Sequence, residues 1–182
     1  NNGCIALTSF FITEPAQLLL AGTSSDATCG NSNGTINLIG SGGTPPYNYS
    51  NNGGTTYQPS FSFSNLAPGN YGTAVMDANG CTTLSSTNII DLAGPVLSSV
   101  NTNNPLCFGS NNGSITINAS GSSSLTYSIN NGTSSQGTSV FNGLGAGSYN
   151  ILVTDTNGCI AFDNAALNEP DPLIGVATTN PS

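Results

Sequence analysis

The cysteines of this chain recur at a fixed interval. They are Cys4, Cys29, Cys81, Cys107 and Cys159. From Cys29 to Cys81 is 52 positions, as from Cys107 to Cys159, and 78 positions separate Cys29 from Cys107 and Cys81 from Cys159. Such self-similarity marks a chain made of copies of one folding unit, and it constrains every later step. The flanking residues keep the interval. Asp77-Ala78-Asn79-Gly80-Cys81 corresponds to Asp155-Thr156-Asn157-Gly158-Cys159, and Asn2-Gly3-Cys4 opens the chain. Leu66-Ala67-Pro68-Gly69-Asn70-Tyr71 corresponds to Leu144-Gly145-Ala146-Gly147-Ser148-Tyr149, and Gly34-Thr35-Ile36-Asn37 to Gly113-Ser114-Ile115-Thr116. Each unit starts near a proline (Pro15, Pro95 or Pro172).

The period predicts two full repeats, 15–93 and 94–171. Residues 1–14 read as the closing piece of a preceding repeat, and 172–182 as the opening strand of a following one. On this reading the chain is a stretch of a longer tandem array.

Within each repeat the periodicity is two. Tyr149, Ile151 and Val153 share one face of a strand, with Asn150, Leu152 and Thr154 on the other. Ser114-Ile115-Thr116-Ile117 and Thr35-Ile36-Asn37-Leu38 alternate likewise, and no segment carries a helical period. Further strands are expected at 18–20, 47–50, 61–63 and 89–90. Asn79-Gly80 and Asn157-Gly158 suit type I′ hairpin turns, whose two central residues both take positive φ. About seven short strands per repeat without helices predict an all-β fold: tandem immunoglobulin-like antiparallel sandwiches. Leu-x-x-Gly-x-Tyr, just before the penultimate strand, is the signature of a tyrosine corner.

Composition then limits function. The chain has no Lys, Arg, His or Trp, and its net charge of −8 comes entirely from eight acids. Without cations it cannot neutralise nucleic-acid phosphates, clamp a phosphorylated substrate or adhere to an anionic membrane through a basic patch. Without His, the serine triad and most zinc sites lose a member. No apolar run reaches the roughly 18 residues of a membrane helix, so no membrane insertion is expected in this segment. The 26 Asn, 25 Ser, 21 Thr and 23 Gly make up just over half of the 182 residues, yet the apolar residues are patterned and the chain is expected to be ordered.

Small sandwiches without Trp bury modest cores, which a disulfide can supplement. Closing a 52-residue loop restricts the unfolded chain by roughly 4 kcal/mol on the chain-entropy model. One disulfide per repeat is therefore expected, Cys29 with Cys81 and Cys107 with Cys159, while Cys4 pairs with a cysteine outside the chain. Regularly spaced cysteines place the protein in an oxidising compartment. The alternative is five buried free thiols.

These motifs resemble the SprB repeat of large bacterial surface proteins, found especially in gliding Bacteroidota. The family's opening element is matched by Cys107-Phe108-Gly109-Ser110-Asn111-Asn112-Gly113-Ser114-Ile115, and its next by Gly42-Gly43-Thr44-Pro45-Pro46-Tyr47-Asn48-Tyr49. Val75-Met76-Asp77-Ala78-Asn79-Gly80-Cys81 and residues 153–159 match the closing element, and Glu14-Pro15 and Glu169-Pro170 the linkers. The second repeat departs from the pattern, with Ser122-Ser123-Ser124-Leu125-Thr126-Tyr127 in place of the Pro-Pro-Tyr element. The resemblance implies an extracellular, cell-surface fibre or adhesin without catalysis or cofactor. Its partners would be neighbouring repeats of the same chain or identical chains in a fibre, with a surface glycan or receptor as target.

Other chemistries are weaker. Asp77 with Asn79, and Asp155 with Asn157, form half of a calcium loop, but calcium wants six or more oxygens; the simpler reading is that each Asp caps its hairpin. Asp155-Thr156 is followed by Asn157, which breaks the aspartic-protease triplet. Tyr47, Tyr49, Tyr57 and Tyr127 suggest a sugar platform, the basis of an alternative reading as a carbohydrate-binding module, or ordinary strand packing.

Overall fold

A computed structural model describes residues 8–175, so the expectation for Cys4 lies outside the described residues. Fourteen strands and no helix make up these residues. In chain order they are β1 (Leu19–Ser25), β2 (Ala27–Thr28), β3 (Gly34–Ser41), β4 (Asn48–Ser50), β5 (Ser62–Leu66), β6 (Gly69–Met76) and β7 (Thr82–Ile89). There follow β8 (Asp91–Leu92), β9 (Val96–Asn103), β10 (Gly113–Ser120), β11 (Leu125–Ser128), β12 (Val140–Leu144), β13 (Gly147–Asp155) and β14 (Ile160–Leu167). They form two compact units.

In the first unit, sheet β1-β3-β5 and sheet β4-β6-β7 are each antiparallel around a central strand. Alternation places Ile36 and Leu38 of β3 inward, where they are buried, as are Val75 of β6 and Ile89 of β7. The second unit is built the same way, from sheets β9-β10-β12 and β11-β13-β14. Its core is Ile115, Ile117, Ile151, Val153 and Leu167, flanked by Phe141, Leu144, Tyr127 and Tyr149. The strands β3 and β10 share one burial pattern residue for residue. Six strands, not seven, carry each pair of sheets.

The central strands β3 and β10 begin on a glycine for a steric reason. A Cβ on Gly34 would stand 2.7 Å from Ile89 Cγ2, and one on Gly113 would stand 2.9 Å from the Leu144 carbonyl oxygen and 3.0 Å from Leu167 Cδ1. Any side chain there would push apart the two sheets that the following isoleucine holds together.

Uncharged side chains satisfy the loops. Ser128 is buried, and its Oγ accepts the N–H groups of Asn130 at 3.2 Å and Gly132 at 2.8 Å while donating to Asn130 Oδ1 at 2.8 Å. Asn130 in turn holds Ser134 through backbone and side chain. Ser50 does the same with Asn52, Gly54 and Thr56. The double positive φ of a type I′ turn occurs here, at Asn131 and Gly132 (55° and 81°), closed by Thr133 N–H to the Asn130 carbonyl. The predicted tyrosine corners are present: Tyr71 donates to the Ala67 carbonyl and Tyr149 to that of Gly145, both at 2.8 Å.

The cysteine pairing differs from expectation. The disulfide joins Cys29 to Cys159, 130 positions apart, with a Cα–Cα distance of 5.3 Å. Cys81 and Cys107 are free and exposed, so neither the Cys29–Cys81 nor the Cys107–Cys159 bond exists, and the thiols are not all buried. The cause is a strand pairing that spacing does not reveal. Residues 27–31 belong to the second unit, because β2 pairs in parallel with β8, Ala27 opposite Asp91 and Thr28 opposite Leu92. That pairing delivers Cys29 to Cys159. Closing so long a loop restricts the unfolded chain by about 5 kcal/mol on the chain-entropy model.

Two substitutions test this account. Ile115→Ala, at a fully buried site, is expected to destabilise the second unit by about 3 kcal/mol, the usual cost of such a truncation. Ser128→Ala strands two backbone donors and is expected to cost about 2 kcal/mol. Urea unfolding followed by circular dichroism measures both.

Candidate functional site

The chemistry-bearing residues singled out in the sequence gather at two hairpins and one linker. In the first hairpin, between β6 and β7, Asp77 N–H bonds the Cys81 carbonyl at 3.0 Å and Gly80 N–H bonds the Asp77 carbonyl at 3.1 Å. Only Gly80, at φ 81°, takes positive φ; Asn79 does not. The turn is therefore not type I′. It is a tight turn centred on Ala78 and Asn79 with a left-handed glycine after it, and the hairpin of Asp155, Asn157, Gly158 and Cys159 is the same.

Asp77 selects this form. Its Oδ1 accepts the N–H groups of Asn79 and Cys81, both at 2.9 Å, and its Oδ2 accepts Thr44 N–H at 2.9 Å. Asn79 Nδ2 donates to Thr44 Oγ1 at 2.9 Å, binding the hairpin to the Thr44 loop. In the second unit Asp155 Oδ1 accepts the N–H groups of Asn157 and Cys159, at 2.9 and 2.8 Å. There Asp155 Oδ2 and Ser123 Oγ, both buried, have no partner, in the unit whose loop reads Ser122-Ser123-Ser124. Both carboxylates are thus engaged with backbone donors. Among the described residues no group of three or more His, Cys, Asp or Glu stands together to hold a metal ion.

The disulfide sits where hairpin and linker meet in the second unit. Cys29 N–H donates to the Leu92 carbonyl at 3.2 Å, and Gly30 N–H to Asp91 Oδ1 at 3.1 Å. Cys159 is buried, and a Cβ on Gly94 would lie 2.8 Å from the Cys159 Cβ, so the linker passes the bond only as glycine. Sequence reasoning missed Asp91 and Gly94. The recurrence of an acid at Glu14, Asp91 and Glu169, at the spacing of the cysteines, was the available signal for the first. Tyr49 is buried with its hydroxyl accepting Gly40 N–H at 3.3 Å, Tyr47 donates to the Gly42 carbonyl, and Tyr57 and Tyr127 are half-buried.

The Asp77 hydrogen bonds have a pH consequence. The N–H of Thr44, opposed by burial and aided by those of Cys81 and Asn79, lowers its pKa from the ordinary 3.8. A depressed folded value means stability that is complete above 3.8 and is lost as pH falls through that lower value. Asp77→Asn is expected to lower the melting temperature at neutral pH and to flatten its fall between neutral pH and the acid range, as read by calorimetry across pH.

Comparison with known proteins follows from this architecture. No curated protein matches the chain. Among solved structures it is similar to extracellular domains 3–5 of Drosophila OTK, at 16% identity and a TM-score of 0.45, over 85% of this chain and 62% of that one. It is also similar to the fibronectin(III)-like modules of Clostridium thermocellum CbhA, at 15% identity and a TM-score of 0.39, over 89% of this chain and 100% of that one. The family model of the SprB repeat matches twice. Each match runs from β1 or its counterpart β9 through the opening cysteine and the Gly-x-Ile strand to the Ser50 or Ser128 loop. The matched residues of this chain are 21–56 and 99–134.

Proposed function

We propose that the chain is an extracellular structural segment of a large bacterial surface protein, with repeats 15–93 and 94–171 acting in series within an adhesive stalk or filament. The observation that carries this reading is the recurrence of one construction: hairpin, tyrosine corner and serine-centred loop stand in both units at the interval of the SprB matches. Repeats of this kind act as spacers, each in contact chiefly with its neighbours. The Cys29–Cys159 bond supports an oxidising location outside the cytosol. A surface of hydroxyls and amides, with no cation, favours lateral contacts by hydrogen bonding over charge pairing. The absence of Lys and Arg leaves trypsin no site, which suits a fibre exposed to proteases. Adhesion and gliding are the uses such a fibre serves.

Antibodies raised against this segment are expected to decorate thin fibres on intact, unpermeabilised cells in electron microscopy. Labelling confined to permeabilised cells overturns the reading. Specific binding on a glycan array, abolished by Tyr57→Ala, overturns it in favour of a carbohydrate-binding module.

A further inference from the structure

We propose that Cys107 and Cys81 are the two halves of further disulfides of the Cys29–Cys159 kind, so that the opening cysteine of every repeat is bonded to the closing cysteine of the next. This rests on the reading of the chain as part of an array. Its partner is another repeat of the same construction in the same polypeptide.

Cys29 opens the first repeat and Cys159 closes the second, so the bond joins successive repeats and not the two ends of one. Besides the β2–β8 pairing and the bond from Cys29 N–H to the Leu92 carbonyl, three features hold Cys29 in place: Asp26 Oδ1 accepts Ile90 N–H at 3.0 Å, Asp91 Oδ1 accepts Gly30 N–H at 3.1 Å, and Gly30 turns at φ 70°.

These three recur around Cys107, with Phe108 inserted between the cysteine and the glycine. Asn104 Oδ1 accepts Asn168 N–H at 3.0 Å, Glu169 Oε2 accepts Gly109 N–H at 2.6 Å, and Gly109 turns at φ 70°. Among the described residues the strand pairing of β2 with β8 has no counterpart there; Cys107 N–H donates to Ser110 Oγ at 3.2 Å instead of to the linker, and its thiol is exposed. Beside it lies a cavity of about 390 Å³, lined by Leu106, Cys107 and Phe108 and by Pro170 to Leu173. Leu106 and Phe108 are 77% and 58% exposed. Their apolar surface flanks the Cys107 thiol, and a closing hairpin bonded to that thiol would cover it.

Cys81 shows the complementary half. It ends a hairpin capped by Asp77 as Cys159 ends one capped by Asp155. The linker from Glu14 to Leu18 lines a cavity of about 220 Å³ beside it, as Leu92 and Gly94 flank Cys159. Here too the thiol is exposed, where Cys159 is buried in its bond. The two free cysteines are thus one of each type. Bond formation takes a proton from each of the two thiols and two electrons to a disulfide oxidant, such as oxidised glutathione, which leaves as two thiols.

The test lengthens the chain by one repeat. Residues 1–170 carrying Cys81→Ser are followed by a copy of residues 16–93 carrying Cys29→Ser, which preserves the Glu-Pro linker and makes every cysteine peptide unique. After refolding in oxidised glutathione and blocking of free thiols, peptic fragments are mapped without reduction. The expected result is a bond from Cys107 to the closing cysteine of the copy, with Cys29–Cys159 retained and alkylation of Cys107 falling from nearly complete in the 182-residue chain to nearly none. Hydrogen exchange of the copy reports whether it has folded, and a second extension built from residues 94–171 serves if it has not. Cys107 that remains alkylated beside a folded extra repeat, or that bonds to Cys159, overturns the proposal. Neither result touches the stalk reading, which fails only by the cell-surface labelling.

Discussion

Each unit depends on burying a small set of aliphatic side chains between two three-stranded sheets without any charged partner to help. Ile115, Ile117, Ile151, Val153 and Leu167 form one such core, and Ile36, Leu38, Val75 and Ile89 lie at corresponding places in the other. Cores this thin leave little margin against chain entropy. The rest of the structure reads as consequences. Glycine at the head of β3 and of β10 lets the sheets close, and the tyrosine corner ties the loop before the penultimate strand to itself.

The composition that first suggests a disordered chain has a structural use. Buried backbone donors must find acceptors, and here they find them in Ser50, Ser128, Asp77 and Asp155. Except for the reach of Asp77 to Thr44, these short side chains bond to backbone within two to four residues, so they fix loops locally and at small entropic cost. The many Asn, Ser, Thr and Gly therefore supply turn chemistry, where other proteins use ion pairs and long polar side chains.

The disulfide belongs to a different order of structure. It connects residues 130 positions apart, and it forms because a two-residue strand, β2, pairs with the linker strand β8. A bond of this topology makes the second unit depend on a segment that the sequence assigns to the first repeat.

Much of the fold was legible in residue order. Period-two alternation placed β3, β10 and β13, because a half-buried strand records its two faces in its own sequence. The tyrosine corners were legible because donor and acceptor lie four residues apart. The hairpin turns were located correctly but mistyped: Asn-Gly alone suggests type I′, while the carboxylate two residues ahead of each glycine's neighbour imposes the other form. What the chain determines by itself is thus whatever is written within one strand or one turn. The partner of Cys29 was decided only in three dimensions. Spacing is equally compatible with bonding inside a repeat or between repeats, and the choice rests on a backbone pairing between β2 and β8 that leaves no mark in side-chain pattern.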